Sequence, residues 1–515
     1  MSNRDLAAAW AYHDGTKHSF WSVRRSAHFL DWPNKPLPFK VYTGLEPIEL
    51  PREAPPLEMP ALRAIAAPEA VGGLVPTPRE LVQLLYYAAG ITRQKPYPGG
   101  EILFRAASCT GALYEIEIYL VCGDLPGLPA GVYHFNPGDL SLRRLRAGDW
   151  RGTLALATGG DESVARAPLT AICTGTYWRN AWKYQARTYR HFGWDNGTML
   201  ANLLAAAAAI ELPARVVMGF VDAEVNALLG LDDRREVAFS LVALGRGAAP
   251  PPAPGEVTPL RLETLPLSPR EVDYPAMREM HAASSLAMPE EARDWRGAAT
   301  PEQYPGPGGD LIPLAPLGDE EAADDGLGEV ILRRGSTRRF ARDAALGFAE
   351  FSTLVARSVA PVPADFLSAP GALLNELYLI VHAVDGLRPG AYVLHRDRMA
   401  LELLKEGDFR AEAGYLGLEQ DLPADACAAI FFVADLRAVL DRFGNRGYRA
   451  AQLEAGVMGG RMYLAAYAQG FGATGLTFFD DDVIKFFSPH AEGKSAIFHM
   501  AVGRSAKRRL SVLAE

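Results

Sequence analysis

Three segments of this 515-residue chain carry side chains whose chemistry goes beyond holding a fold together. The first is Arg333-Arg334-Gly335-Ser336-Thr337-Arg338-Arg339, which follows a short helical turn, Glu329-Val330-Ile331-Leu332. Arg334, Ser336 and Arg338 alternate at that helix end, so two guanidinium groups and a hydroxyl can converge on one phosphate. A solvated basic loop is the alternative. The second segment is Trp182-Lys183-Tyr184, which opens a charged, aromatic helical stretch continuing through Arg187 and Arg190. An amine beside a phenol can serve as a proton-transfer pair. The alternative is a surface helix with a lysine lying along it. The third is Ala107-Ser108-Cys109-Thr110-Gly111, a small-residue loop before a strand. Such a loop lets a flat aromatic ligand rest on the backbone, although a plain turn would look the same.

Other chemistries are excluded. Gly470-Phe471-Gly472-Ala473-Thr474-Gly475 matches GxGxxG, but a dinucleotide fingerprint must follow a strand and open a helix. Here the order is reversed. There is no GxxxxGK[ST] and no HExxH, and the ten histidines are scattered; His13 and His18 read as surface residues. Four cysteines without a CxxC argue against a zinc ribbon or a disulfide scaffold, and no metal is expected. The net charge of −9 argues against a nucleic-acid partner. The first twenty residues contain no sustained apolar run, and Leu203 to Ile210 is far shorter than the ~20 residues that span a bilayer. A cytoplasmic protein without a membrane partner is expected.

These segments must be positioned by a duplicated scaffold. Gly127-Leu128-Pro129-Ala130-Gly131-Val132-Tyr133 returns as Gly386-Leu387-Arg388-Pro389-Gly390-Ala391-Tyr392, an offset of 259. The same offset carries Arg187, Tyr189 and Arg190 onto Arg446, Tyr448 and Arg449, and Phe220 and Asp222 onto Phe479 and Asp481. So long a period means two copies of a whole domain. The reading is a proline-rich extension at 1–70 without a counterpart, domain one at 71–247, an extended Pro/Gly-rich linker at 248–328, and domain two at 329–515.

Within each copy the pattern is α+β. Thr77-Pro78-Arg79-Glu80 is a helix start, with Thr as cap, Pro in the first turn and Glu three residues on. A similar helix runs through Phe351, Leu354 and Val355. Glu115–Val121 and Leu377–Val381 read as strands. Small-residue helices follow, Thr198 to Ile210 and Val457 to Tyr467, whose Ala and Gly allow close helix–helix approach at a domain interface. Strands leading to acidic helix starts, and a last strand in each copy, complete the unit.

Together these features resemble the FMN-dependent nitroreductase superfamily. Arg334-Gly335-Ser336-Thr337-Arg338 is similar to its Arg-x-Ser-x-Lys/Arg phosphate motif. Ala107-Ser108-Cys109-Thr110-Gly111-Ala112-Leu113-Tyr114 is similar to the Pro-Ser-Ala-Gly-Ala-Leu-Tyr loop of the azoline-oxidising branch, which makes thiazoles and oxazoles in modified peptides. The Lys-Tyr pair and the Gly-Leu-x-x-Gly-x-Tyr turn resemble that branch too. The resemblance covers about 75–247 and 329–504.

The chain departs from the pattern in complementary ways. Ser108-Cys109 replaces Pro-Ser, and copy one has no phosphate motif at the right distance. Arg63 alone lies near, and Arg24-Arg25-Ser26 is too far upstream. Copy two has Arg442 and Phe443 where copy one has Lys183 and Tyr184. The family forms intertwined dimers with FMN at the interface. The resemblance therefore implies an intramolecular pseudo-dimer, sufficient as a monomer, with one composite FMN site. Arg334, Ser336, Arg338 and Arg504 would hold the phosphate. Ser108, Cys109, Thr110 and Gly111 would line the flavin, and Gly475, Leu476 and Thr477 would approach the ring edge. Lys183 and Tyr184 would handle protons. The implied activity is dehydrogenation of a small-molecule or modified-peptide substrate. Its rivals are an NAD(P)H-dependent nitro or quinone reductase and a non-catalytic binding protein of the same fold.

Overall fold

Fully buried strands built from Ile116–Cys122 and Leu169–Thr176 form the centre of a seven-stranded antiparallel sheet. Across that sheet the order is Pro47–Glu49, Ser141–Ala147, Gly131–Asn136, Ile116–Cys122, Leu169–Thr176, Glu236–Leu244 and Ala214–Val217. A second sheet repeats it: Leu311–Pro313, Ala400–Glu406, Gly390–His395, Glu376–Val381, Ala428–Ala434, Ser495–Gly503 and Gly472–Leu476. Identical strand order in both sheets is the structural form of the duplication. The computed structural model describes residues 2–506 apart from 52–53, 73, 98–99, 248, 298–305, 307 and 368–371.

The sequence reading needs correcting at several places. The edge strands Pro47–Glu49 and Leu311–Pro313 lie in the segments read as an unmatched extension and as an extended linker. Three residues are too short for an alternating pattern, so the neighbouring ladder, not local sequence, makes them strands. The linker also holds two helices, Pro275–Ala283 and Pro289–Arg296, each opened by proline at its first turn. They bury Met277, Met280, Ala292 and Trp295. Finally, His13 is buried rather than at the surface, its Nδ1 3.3 Å from the Tyr448 hydroxyl. It is carried there by the helix Ala7–Gly15, which docks across both copies.

The copies are joined by the long helices Thr188–Ala209 and Arg446–Ala468, which cross with their backbones in contact. A Cβ added at Gly456 would lie 2.5 Å from the Trp194 carbonyl oxygen, and one at Gly197 would lie 2.5 Å from that of Leu453. Only glycine permits that approach.

At the ends of these helices two buried charge clusters are exchanged. Asp480 accepts from Arg187 at 3.1 Å and Arg190 at 2.7 Å. Asp222 accepts from Arg446 at 2.6 Å and Arg449 at 2.7 Å. Each aspartate starts a helix in one copy and each arginine pair starts the long helix of the other. The true partner of Asp222 is thus Asp480 and not Asp481, because the repeat loses one residue between the long helix and the following strand. The arginines more than offset the desolvation of both carboxyls and hold each at about 2.

Candidate active site

Lys183 and Tyr184 end the helix Tyr177–Tyr184 instead of opening one. Gln185 takes φ +50° and breaks the chain direction, as Gly444 does at φ +67° in copy two. The break leaves both side chains half-buried. The Lys183 ammonium stands 5.2 Å from the Tyr184 ring centre. The small-residue loop packs directly on the pair. A Cβ at Gly111, which sits at φ +64°, would lie 2.9 Å from the Tyr184 hydroxyl and 3.4 Å from Lys183 Cδ. Glycine is therefore required there by both conformation and space. Thr198 fixes the loop by donating to the Ser108 carbonyl at 2.8 Å.

Behind the loop lies a cluster of acids. Thr110 donates its N–H and its hydroxyl to Asp195 at 2.8–3.0 Å. The Cys109 thiol lies 3.3 Å from Asp195 and 3.4 Å from Glu115, and Tyr114 N–H donates to Cys109 Sγ at 3.0 Å. Burial, then the charges of Asp195 and Glu115, push the thiol well up, so Cys109 stays protonated and is a poor nucleophile.

The phosphate segment comes from copy two. Arg334 follows the helix Leu327–Arg333, and Thr337 N–H donates to the Ala473 carbonyl at 3.0 Å. That bond pins the segment to the strand Gly472–Leu476, whose end carries Gly475, Leu476 and Thr477. Arg334 is buried and donates only to carbonyls, reaching across to Ala106 of copy one at 2.9 and 3.2 Å. No carboxylate among the described residues neutralises it. Arg338 is exposed and also makes no ion pair among the described residues. It lies near enough to Lys183 to lower that amine's pKa, a smaller effect than burial. Ser336 Oγ is 3.1 Å from the Tyr463 hydroxyl, which also accepts the Gly475 N–H at 2.7 Å. The Thr477 hydroxyl is buried with no partner among the described residues.

The two halves of the expected site thus meet: Arg334, Ser336, Arg338 and the Gly475 strand from one copy, Ser108 to Gly111 with Lys183 and Tyr184 from the other. A buried arginine lacking a counter-ion and an orphaned threonine hydroxyl suit an anionic ligand with further polar edges, as FMN is. Arg504 is not brought in. Its guanidinium is held by both oxygens of Glu350 at 2.6–2.8 Å. Arg24 pairs with Glu419 at the surface, and Arg63 is exposed. Tyr463, Asp195 and Glu115 were not singled out from sequence. The available signal was a large or charged residue inside a small-residue helix, or at a strand start.

At the pseudo-symmetric location other residues of the chain bond the corresponding backbone. With the one-residue slip, Met218 and Gly219 correspond to Leu476 and Thr477. Asp365 of copy two accepts the Met218 N–H at 2.9–3.0 Å and the Gly219 N–H at 2.8 Å. Burial pushes its carboxyl up to about 6, against the pull of those two N–H groups. Arg296 donates to the Gly219 carbonyl at 3.1 Å. Phe443, which stands where copy one has Tyr184, is buried with its ring centre 5.4 Å from that of Trp295. Loop 368–371, the counterpart of the small-residue loop, lies outside the described residues.

Comparison with known proteins agrees with this architecture. The profile of the Nitroreductase family matches residues 331–504, the second copy. A crystal structure of an Anabaena variabilis protein, provisionally described as a nitroreductase, superposes with a TM-score of 0.77 at 26% identity, covering 97% of this chain and 99% of that one. A Methanocaldococcus jannaschii protein, provisionally named a nitroreductase, is 29% identical over 170 residues, 33% of this chain and 81% of its own length. The microcin B17-processing protein McbC of Escherichia coli is 30% identical over 146 residues, 27% of this chain and 50% of its own length. The chain therefore carries the nitroreductase-superfamily fold twice in one polypeptide, with the two copies packed as an intramolecular pseudo-dimer.

Proposed function

We propose that the protein is an FMN-dependent oxidoreductase with one composite flavin site per chain, dehydrogenating a small-molecule or peptide substrate. The observation that carries this reading is Arg334. A buried cation with no acid beside it among the described residues, bonded to carbonyls of the other copy, suits an anion bound where the two copies meet. When bound there, FMN supplies a ring that exchanges hydride with substrate.

The chain's own residues supply the rest. Arg334, Ser336 and Arg338 bind the phosphate through charge-assisted bonds. Thr477, just past the strand end that carries Gly475 and Leu476, offers a free hydroxyl to the ring edge. Gly111 lets the loop lie directly against Lys183 and Tyr184 with no side chain between them. Burial and Arg338 depress the Lys183 pKa, which prepares the amine to take a proton. Tyr184 is held protonated, chiefly by burial, and can donate at its hydroxyl. Trp32 packs edge-on to Trp182 at 5.3 Å, and the Trp182 indole N–H donates to the Asp31 carbonyl, so the N-terminal segment shields the end of the helix bearing the pair from water.

Removal of hydrogen from a saturated C–X bond needs a base for the proton, and the Lys-Tyr pair supplies one. Simple nitro reduction needs little such help. Together with the Gly-Ala-Leu-Tyr loop, this favours oxidation of azoline-like rings over nitro or quinone reduction. Anaerobic stopped-flow of the oxidised flavoprotein against azoline-containing peptides, NADH and NADPH tests the direction. Bleaching by the azoline peptide supports it. Fast bleaching by a nicotinamide, with none by an azoline or other saturated substrate, establishes the reductase instead.

A further inference from the structure

The two copies treat one buried place differently. In copy two Glu454, at the helix position 259 residues on from Asp195, accepts from the N–H groups of Leu374 and Asn375 at 2.8 and 2.9 Å and from the Asn375 side-chain amide at 2.8 Å. An amide at the entry to the strand Glu376–Val381 thus satisfies the acid on the long helix. In copy one the entry to the strand Ile116–Cys122 carries a second acid, Glu115, and the loop adds a thiol, Cys109. Cys109 Sγ lies 3.3 Å from Asp195 Oδ2 and 3.4 Å from Glu115 Oε2, and one ligand-type atom from each of the three lies within 4.8 Å of the others. Glu115 is fully buried, and its Oε1 has no partner among the described residues. Neither acid makes an ion pair among the described residues. Arg105, whose charge acts on Cys109, donates instead to the carbonyls of Pro38 at 2.6 Å and Ile116 at 3.4 Å. Unpaired buried acids are costly unless a cation joins them.

We propose that Cys109, Glu115 and Asp195 bind a single zinc-type divalent ion, which clips the small-residue loop to the long helix of copy one. Zinc takes thiolate and carboxylate ligands at about 2.3 and 2.0–2.2 Å, so a tetrahedral site sets sulfur–oxygen separations of about 3.5 Å. The 3.3 and 3.4 Å found here are close to that spacing. Magnesium and calcium want six or more oxygens and do not suit a thiol with two carboxyls. Coordination replaces the S–H bond with a sulfur–metal bond and releases the proton to solvent. Three anionic ligands around a divalent ion leave one negative charge, which Arg105 offsets. The outer bonds that orient metal ligands are already made. Tyr114 N–H donates to Cys109 Sγ at 3.0 Å, and Thr110 donates its N–H and hydroxyl to Asp195 at 2.8–3.0 Å. A cavity of about 20 Å³ bordered by Cys109, Asp195 and Met199 has room for one water as fourth ligand. The spacing of the three residues in sequence matches no metal motif, so only the fold brings them together. The ion site does not depend on the proposed function.

The test treats the full-length protein with a chelator, titrates it with Co²⁺ and then competes with Zn²⁺. Spectra are read as differences from the metal-free protein. One Co²⁺ per chain is expected, with thiolate-to-cobalt charge-transfer absorption and the strong red-region bands of a four-coordinate ion, all removed by Zn²⁺. Cys109→Ser should abolish the charge-transfer absorption. Glu115→Gln and Asp195→Asn should each weaken Co²⁺ binding at least about tenfold, since loss of even an outer partner costs that much. A pale six-coordinate spectrum, or charge-transfer absorption that survives Cys109→Ser, overturns the proposal. If Cys109→Ser fails to fold, Glu115→Gln, which keeps the side-chain shape, carries the comparison, and unchanged affinity there overturns it. Should both fail to fold, the wild-type spectrum decides, with thiolate–cobalt absorption at one equivalent supporting the site and its absence overturning it. None of these readouts uses turnover or bound flavin, so their failure is distinct from failure of the proposed activity.

Discussion

Asp480 ties the two halves of the composite site together, and neutralising it should loosen both. Its carboxylate accepts from Arg187 and Arg190 of copy one and from the His18 N–H. Phe478, two residues earlier, lies under the Arg187 guanidinium at 5.3 Å, so the clamp fixes the Gly475–Thr477 edge against the helix behind Tyr184. The magnitude follows from burial. The carboxyl moves from 3.8 to about 2 on folding, a preference for the ionised form of about 2 kcal/mol. Asp480→Asn keeps the shape but strands two guanidinium groups, each no more than 3% exposed. Breaking a buried pair in this way costs about 3–5 kcal/mol. Because the folded pKa is depressed, the contribution is complete above pH 4 and is lost as pH falls through 2. Chemical denaturation at pH 7 and at pH 2–3 is the assay. Asp480→Asn should lose about 3–5 kcal/mol at pH 7, differ from wild type by about 2 kcal/mol less near pH 2, and bind flavin more weakly. A variant within 1 kcal/mol of wild type at pH 7, or a wild type whose stability is flat from pH 5 to 2, would refute the reasoning.

The same approach gives three further expectations. Lys183→Ala and Tyr184→Phe should retain flavin but slow substrate-dependent flavin reduction by about 10²–10⁴-fold, the usual worth of a positioned acid or base; unchanged rates would return the pair to a surface role. Gly456→Leu forces a side chain into the Trp194 backbone and should cost at least about 1–3 kcal/mol, read as a lower unfolding midpoint and weaker association of the two copies. Asp365→Ala strands the Met218 and Gly219 N–H groups at about 1–3 kcal/mol each, without creating a second flavin site; a gain of bound flavin in this variant would show that Asp365 alone blocks it.

Much of this arrangement was legible from residue order. The duplicated glycines gave the two sheets. Thr77 and Glu80 form the expected capping box, with Thr77 N–H donating to Glu80 at 2.7 Å. The alanine- and glycine-rich helices do cross in close contact. Sequence reading failed where non-local partners decide conformation. The strands at 47–49 and 311–313 exist only because 141–143 and 400–402 offer unpaired edges. The Asp222–Asp480 correspondence was missed because a one-residue slip is invisible when three aspartates, Asp480 to Asp482, stand in a row. In the site, the motifs on loops and helix ends were readable. Tyr463, Asp195, Glu115 and Asp365 were not, since a buried polar residue inside a helix or loop shows its purpose only when its partner, often in the other copy, is beside it.

The most direct test of the composite site is the amount and identity of flavin released by heat from protein reconstituted with excess FMN, for wild type and for Arg334→Ala/Arg338→Ala. One FMN per chain is expected in the wild type. Near-complete loss is expected in the variant, since charge-assisted bonds worth about 1.5–3 kcal/mol each are removed. Two equivalent sites, bound FAD, or no flavin at all would contradict a single FMN cleft shared between the copies.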